Sequence, residues 1–205
     1  MFGEKEFNQW INEYDEMVER SAKVNKYPFA GYYDVLENIY QMVASKSNAK
    51  VLDLGFGTGK LTNKLYEHGC IIYGQDFSLE MIELSLKKMP NAHLYKGDFS
   101  NGLVEPLTNN KYDYIISTYA LHHLSNEQKI CFINNLFNNL NDNGKIIIGD
   151  IMFSTAKELD DCRKQAQDDW DEEESYFVIE DIKNIFPNML FKKISFCAGV
   201  LTIFK

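Results

Sequence analysis

The segment Val51-Leu52-Asp53-Leu54-Gly55-Phe56-Gly57-Thr58-Gly59 restricts the fold more than any other part of the chain. A short apolar strand, Lys50 to Leu54, runs into alternating glycines, and Leu61 and Leu65 at helical spacing start a helix at once. Glycine accepts positive φ and lets the backbone approach a ligand closely. The helix N-terminus offers unpaired N–H groups. Asp53 adds a carboxylate beneath the loop. Two other glycine-loop chemistries fail here. The dinucleotide fingerprint G-x-G-x-x-G would need glycine where Lys60 stands. A phosphate-binding loop would need glycine at Leu54 and Ser or Thr at Leu61.

Strand and helix alternate around this segment. Apolar spacing of Phe7, Trp10, Ile11, Tyr14, Met17 and Val18 predicts a first helix, and a second runs from about Tyr32 to Ala44 after Pro28 and Gly31. Gly69 should end the helix after the glycine loop in a left-handed cap. Ile71 to Gly74 is a second strand. Ser78 caps a helix with Ile82, Leu86 and Met89 facing inward, closed by Pro90. Ala92 to Tyr95 and Tyr112 to Ser117 are strands. Ser125 to Gln128 has the capping-box pattern, ahead of a helix burying Ile130, Ile133, Phe137 and Leu140. Asn141 to Gly144 is a turn and Lys145 to Gly149 a buried strand. Thr155 to Phe186 reads as a variable helical stretch. Leu190 to Phe196 and Val200 to Phe204, joined by a turn near Ala198-Gly199, form an antiparallel hairpin. The expected fold is α/β: a Rossmann-like, doubly wound, mainly parallel sheet of about seven strands with a C-terminal antiparallel hairpin and N-terminal helices. Ligands in such sheets bind beyond the carboxyl ends of the strands.

One domain suffices for 205 residues, 45% hydrophobic and 25% charged. Within it, residues 1–46 read as an N-terminal helical cap or lid, 47–151 as the cofactor-binding core, and 152–205 as C-terminal helices and hairpin. The formal net charge of -9 argues against a broad nucleic-acid surface, which rests on Lys and Arg facing phosphates. Met1 to Trp10 lack the basic start and apolar stretch expected of a signal peptide, and no apolar run reaches the roughly 20 residues of a bilayer span. Cys70, Cys131, Cys162 and Cys197 are widely spaced, without C-x-x-C, and read as reduced thiols of a cytoplasmic protein.

An acidic residue followed by G-x-G-x-G after a strand resembles the first motif of the class I S-adenosylmethionine-dependent methyltransferases, and Asp53, Gly55, Gly57 and Gly59 match it. Three further matches follow in order: Tyr73-Gly74-Gln75-Asp76-Phe77-Ser78, Lys96-Gly97-Asp98-Phe99, and Tyr112 through Leu124. Leu140 to Ile148 is similar to the segment around the fifth strand. The likeness covers about Phe7 to Ile151 and extends to the last two strands; it is greatest to small bacterial methyltransferases. It implies S-adenosylmethionine as cofactor and S-adenosylhomocysteine as product. It implies a cofactor site of Asp53, Gly55, Phe56, Gly57, Thr58, Gly59, Asp76, Phe77, Met81, Gly97, Asp98, Phe99, Ser117 and Tyr119. Asp76 would take the ribose hydroxyls and Asp98 the adenine amino group, with Phe99 on the ring. Asp53 either binds a ligand amino group or braces the loop.

The resemblance implies that the fourth motif borders the transferable methyl, which makes Tyr119, His122 and His123 candidates for the acceptor side, with Tyr14, Tyr32 or Tyr33 either covering the cofactor or packing the core. His122 and His123 are adjacent, an arrangement in which both rarely reach one ion, and no metal is expected. Asp150 either faces the substrate or caps the next turn. The acidic run Asp168 to Glu174 reads as a solvated helix face. The expected function is methyl transfer to a small-molecule acceptor. The rivals are a non-catalytic module that binds S-adenosylmethionine or S-adenosylhomocysteine, a nicotinamide oxidoreductase, and a nucleic-acid methyltransferase. Lys60 disfavours the second. The net charge and the lack of an N/D-P-P-Y/F/W motif disfavour the third.

Overall fold

The computed structural model describes Glu16 and residues 18–205. Residues 18–23 are helical and Val18 is buried; Phe7, Trp10, Ile11, Tyr14 and Met17 lie outside the described residues. The strands are β1 (Lys50–Leu54), β2 (Ile71–Asp76), β3 (His93–Lys96), β4 (Tyr112–Thr118), β5 (Leu140–Phe153), β6 (Phe177–Val178), β7 (Met189–Lys193) and β8 (Ala198–Phe204). The helices are α1 (Tyr32–Ala44), α2 (Lys60–Glu67), α3 (Leu79–Lys88), α4 (Glu105–Thr108), α5 (Asn126–Leu136), α6 (Ala156–Ala166) and α7 (Ile179–Ile182). The sheet runs β3-β2-β1-β4-β5-β8-β7, and β6 pairs the end of β5. Strands β1 to β5 pair in parallel; β8 is antiparallel to both β5 and β7.

Alternation along the strands builds a three-layer molecule. Val51, Ile116, Ile147 and Val200 point to the face covered by α1 and α2, where Val35, Ile39, Val43, Leu61 and Leu65 complete one core. Leu52, Ile115, Ile146, Ile148 and Leu201 point to the other face, against Phe132, Ile133 and Leu136 of α5. Helix α1 lies directly on the sheet, because a Cβ at Gly149 would stand 2.4 Å from Val35 Cγ1. Each of its three fully buried side chains contributes about 1.5–3 kcal/mol by leaving water.

Local signals set the element ends. Gly69 takes φ 95 just past α2. Ser78 accepts from Met81 N, and Ser125 and Gln128 form both halves of a capping box. Four readings need correction. The buried face of α5 is Lys129, Phe132, Ile133 and Leu136, rotated from the expected stripe, because Lys129 lays its stem inward and hydrogen-bonds Ser175 O. In α3 Met81 and Ser85 are buried beside Ile82, and Leu86 is only partly so. The stretch from Thr155 to Phe186 is not continuously helical: α6 ends at Ala166 and β6 interrupts it, pairing Met152 and Phe153 of an extended β5. Ala198 and Gly199 lie in β8, opposite Ile151 and Asp150, so the hairpin turn falls earlier, over residues 194–197. Among the described residues, no helix is long and apolar enough to cross a membrane.

Candidate functional site

Strands β1 and β4 are parallel neighbours at the centre of the sheet, and the loops that follow them meet at its carboxyl edge. The loop after β1 needs its glycines. Gly55, Gly57 and Gly59 all have positive φ, and a Cβ on Gly55 would stand 2.6 Å from Ala120 Cβ. At Gly57 a Cβ would meet nothing within 4 Å, so this backbone faces open space. The loop is held by Asp76, at the end of β2. Its carboxylate accepts from Gly57 N at 2.9 Å and from Ser78 N at 2.9 Å.

The space above the loop is a cavity of about 310 Å³, within the size range of small-molecule sites. Gly55, Phe56, Gly57, Thr58, Asp76, Phe77, Met81, Phe99, Tyr119 and His123 line it. Phe77 stands 71% exposed at its edge, an apolar ring available to a planar ligand. The remaining residues of the expected cofactor set stand elsewhere. Asp53 is buried beneath the loop, where Thr62 Oγ1 donates to it at 2.6 Å. Gly59 is the N-cap of α2 and a Cβ there would press on Ser85. Gly97 packs against Val104 and Gln75. Asp98 is exposed and caps a short turn by accepting from Ser100 N at 2.8 Å. Ser117 donates to Leu54 O and ties β4 to β1. Lys60 and Thr62 of α2, which follows the loop directly, also join the lining, as does Thr118 at the end of β4; Leu36 of α1 is brought to this edge only by the tertiary structure.

Burial sets the electrostatics. The Asp53 carboxyl is pushed up to about 7, first by desolvation and further by the nearby Asp76. Desolvation raises Asp76 too, against the hydrogen bonds from Ser78 and Gly57.

A second cavity, of about 960 Å³, adjoins the first, and Tyr119 and His123 line both. Its other walls include Tyr27, Phe29, His122, Asp171 and Glu174. Tyr119 is the hinge between them. It adopts φ 49, a left-handed conformation that a bulky residue rarely takes, and its ring lies 5.0 Å from Tyr32 and 5.6 Å from Phe29. Its hydroxyl is buried and has no hydrogen-bond partner among the described residues.

His122 is clamped. Its Nδ1 lies 2.7 Å from Asp150 Oδ1, and Asp150 Oδ2 accepts from Leu121 N. Asp150 is therefore buried under the histidine loop, supporting it. On its other side His122 Nε2 faces Glu174 at 3.4 Å. Desolvation opposes a charge on His122, but Asp150 and Glu174 outweigh it and raise its pKa; desolvation and His122 together lower that of His123. Glu174 was read as part of a solvated helix face. It belongs to an irregular, half-buried segment, held down by Ser175 N donating to His122 O and by Tyr176 OH donating to Glu174 Oε2. Tyr33 is exposed, and Tyr14 lies outside the described residues.

Comparison with known proteins agrees with this architecture. The methyltransferase domain family matches residues 45–193. The chain is 37% identical over 162 residues to an uncharacterized methyltransferase of Bacillus mycoides, covering 78% of this chain and 73% of that one. It is 32% identical over 195 residues to the uncharacterized methyltransferase YrrT of Halobacillus halophilus, covering 91% and 87%. Two solved structures share the fold at low identity. Magnesium protoporphyrin IX methyltransferase of Synechocystis, with bound S-adenosylhomocysteine, aligns at TM-score 0.67 and 18% identity over 85% of this chain and 84% of that one. A TehB-like methyltransferase of Corynebacterium glutamicum aligns at 0.63 and 17% over 97% and 99%. The chain belongs to the methyltransferase domain family.

Proposed function

We propose that this chain transfers the methyl group of S-adenosylmethionine to a small-molecule acceptor, with the cofactor in the glycine-loop cavity and the acceptor in the larger one. The observation that carries this reading is the junction: two cavities of different character share Tyr119 and His123 at the carboxyl edge of β1 and β4. Gly55, Gly57 and Thr58 would hold the amino-acid part of the cofactor with backbone groups. Asp76 would take the ribose, its two oxygens each retaining a lone pair beyond the bonds to Gly57 and Ser78. Phe77, Met81 and Phe99 offer an apolar wall for adenine. The bound cofactor supplies a methyl already activated on a sulfonium.

The protein's share of the chemistry is then alignment and exclusion of water. Tyr119, Tyr32 and Phe29 form an aromatic wall at the junction, suited to a cation on the cofactor side. The strained φ of Tyr119 sets that ring between the two spaces.

The test pairs calorimetry with turnover. S-adenosylmethionine should bind once per chain, and one class among amine, thiol, phenol and carboxylate acceptors should release S-adenosylhomocysteine. In Tyr119→Ala, turnover should fall about tenfold or more, a loss of about 1.4 kcal/mol, while cofactor affinity changes less. Cofactor binding without turnover of any acceptor would support the non-catalytic module. Tight binding of NAD with none of S-adenosylmethionine would overturn the reading.

A further inference from the structure

We propose that His122, His123 and Glu174 form a binding site for one divalent transition-metal ion on the wall of the larger cavity. One ligand atom from each lies within 4.8 Å of the others, and all three residues line that cavity. Ligand atoms at tetrahedral Zn²⁺ distances stand about 3.4 Å apart. His122 Nε2 and Glu174 Oε1 already stand 3.4 Å apart, beyond the roughly 2.7–3.2 Å of a good N–H···O bond. Adjacent histidines rarely share an ion, but His123 is exposed and can rotate to complete the set, which departs from the expectation of no metal.

The surroundings of the two fixed ligands are those of a metal centre. Asp150 engages Nδ1 of His122 at 2.7 Å, which leaves Nε2 as the coordinating atom. Asp150 is itself held by the backbone N–H groups of Leu121 and Ile151. Tyr176 OH donates to Glu174 Oε2 at 2.8 Å, leaving Oε1 for the ion. Ser175 N donates to His122 O at 2.8 Å, so the segment carrying Glu174 is stitched to the loop carrying the histidines. Two imidazoles and one carboxylate suit Zn²⁺, Mn²⁺, Fe²⁺ or Co²⁺, and three protein ligands leave positions open toward the cavity. Resting on the proposed acceptor site, those positions would hold an acceptor oxygen or nitrogen and ease its deprotonation. Metal binding itself does not depend on that reading.

Untagged protein stripped with chelator is titrated with Zn²⁺ by calorimetry and with Co²⁺ by visible absorption. One ion per chain should bind with Kd of about 10 µM or tighter. His123→Ala and Glu174→Gln should each weaken it about tenfold or more. Both substitutions are outside the fully buried core; thermal melts and, for Glu174→Gln, unchanged S-adenosylhomocysteine affinity check that the fold is kept. The Co²⁺ spectrum should lack a thiolate charge-transfer band, since no cysteine is in the set. Absence of one-to-one binding, a thiolate band, or affinity unaltered in both folded variants would overturn the site. Metal binding without methyl transfer would leave the site standing and count against the acceptor reading alone.

Discussion

The glycine-loop cavity takes much of its wall from consecutive residues, Gly55 to Thr58 and Asp76 to Ser78, at the ends of adjacent strands. The larger cavity takes its wall from residues far apart in the chain, among them Arg20, Tyr27 and Phe29, then Tyr119, His122 and His123, then Asp171 and Glu174. The charges differ in the same way. In the first, two buried carboxylates, Asp53 and Asp76, are bonded to a threonine hydroxyl and to backbone N–H groups. In the second, buried Asp150 faces the His122 ring. A site made of backbone and contiguous residues can be formed by one strand–loop–helix unit; a site made of paired side chains needs the complete tertiary structure.

The largest expected effect probes the buried acid of the first region. The folded chain holds the Asp53 proton up to about 7, against 3.8 for an ordinary aspartate. Folded stability from this group is therefore intact below about 4 and is lost as pH rises through about 7, because the folded state binds the proton more tightly than the unfolded one. Asp53→Asn is neutral throughout and keeps the acceptor for Thr62. Urea unfolding should show the variant gaining on the wild type by on the order of 3 kcal/mol between about pH 5 and pH 8.5. Parallel pH profiles would show that the fold does not hold the Asp53 proton.

Next in size is Asp76→Ala. Two proposed ribose bonds to a charged acceptor disappear, and S-adenosylmethionine affinity should fall by about 2 kcal/mol or more. Asp76→Asn should lose less. Normal affinity in a folded Asp76→Ala protein would confine this carboxylate to bracing Gly57 and Ser78.

Smallest is Phe77→Ala. The ring is largely exposed, so stability should hardly change, but cofactor affinity should fall about fivefold, near 1 kcal/mol, if the ring covers adenine. Calorimetry with S-adenosylhomocysteine reads this directly; an unchanged Kd would move adenine away from Phe77.

Much of the fold was legible in the sequence because its signals are local. Lys50–Leu54 and Tyr32–Ala44 were read with the bounds observed, since a short apolar run ending in glycines and a helical stripe each identify an element without knowledge of its partner. The capping signals at Ser78 and Ser125 were legible for the same reason: the bonds they make span three residues. The inward face of α5 was misread because Lys129 is buried by contact with Ser175, forty-six residues away. Glu174 was read as solvated for a similar reason: the residues before it in sequence are acidic, while His122, which faces it, comes from the histidine loop fifty-two residues away. Thus the sequence by itself determined the strand–loop–helix unit and the order of elements, whose energetics rest on backbone conformation and burial. Only the tertiary structure decided which charges meet around the larger cavity, because electrostatic pairing depends on distance in space and on dielectric, and neither is written in spacing along the chain.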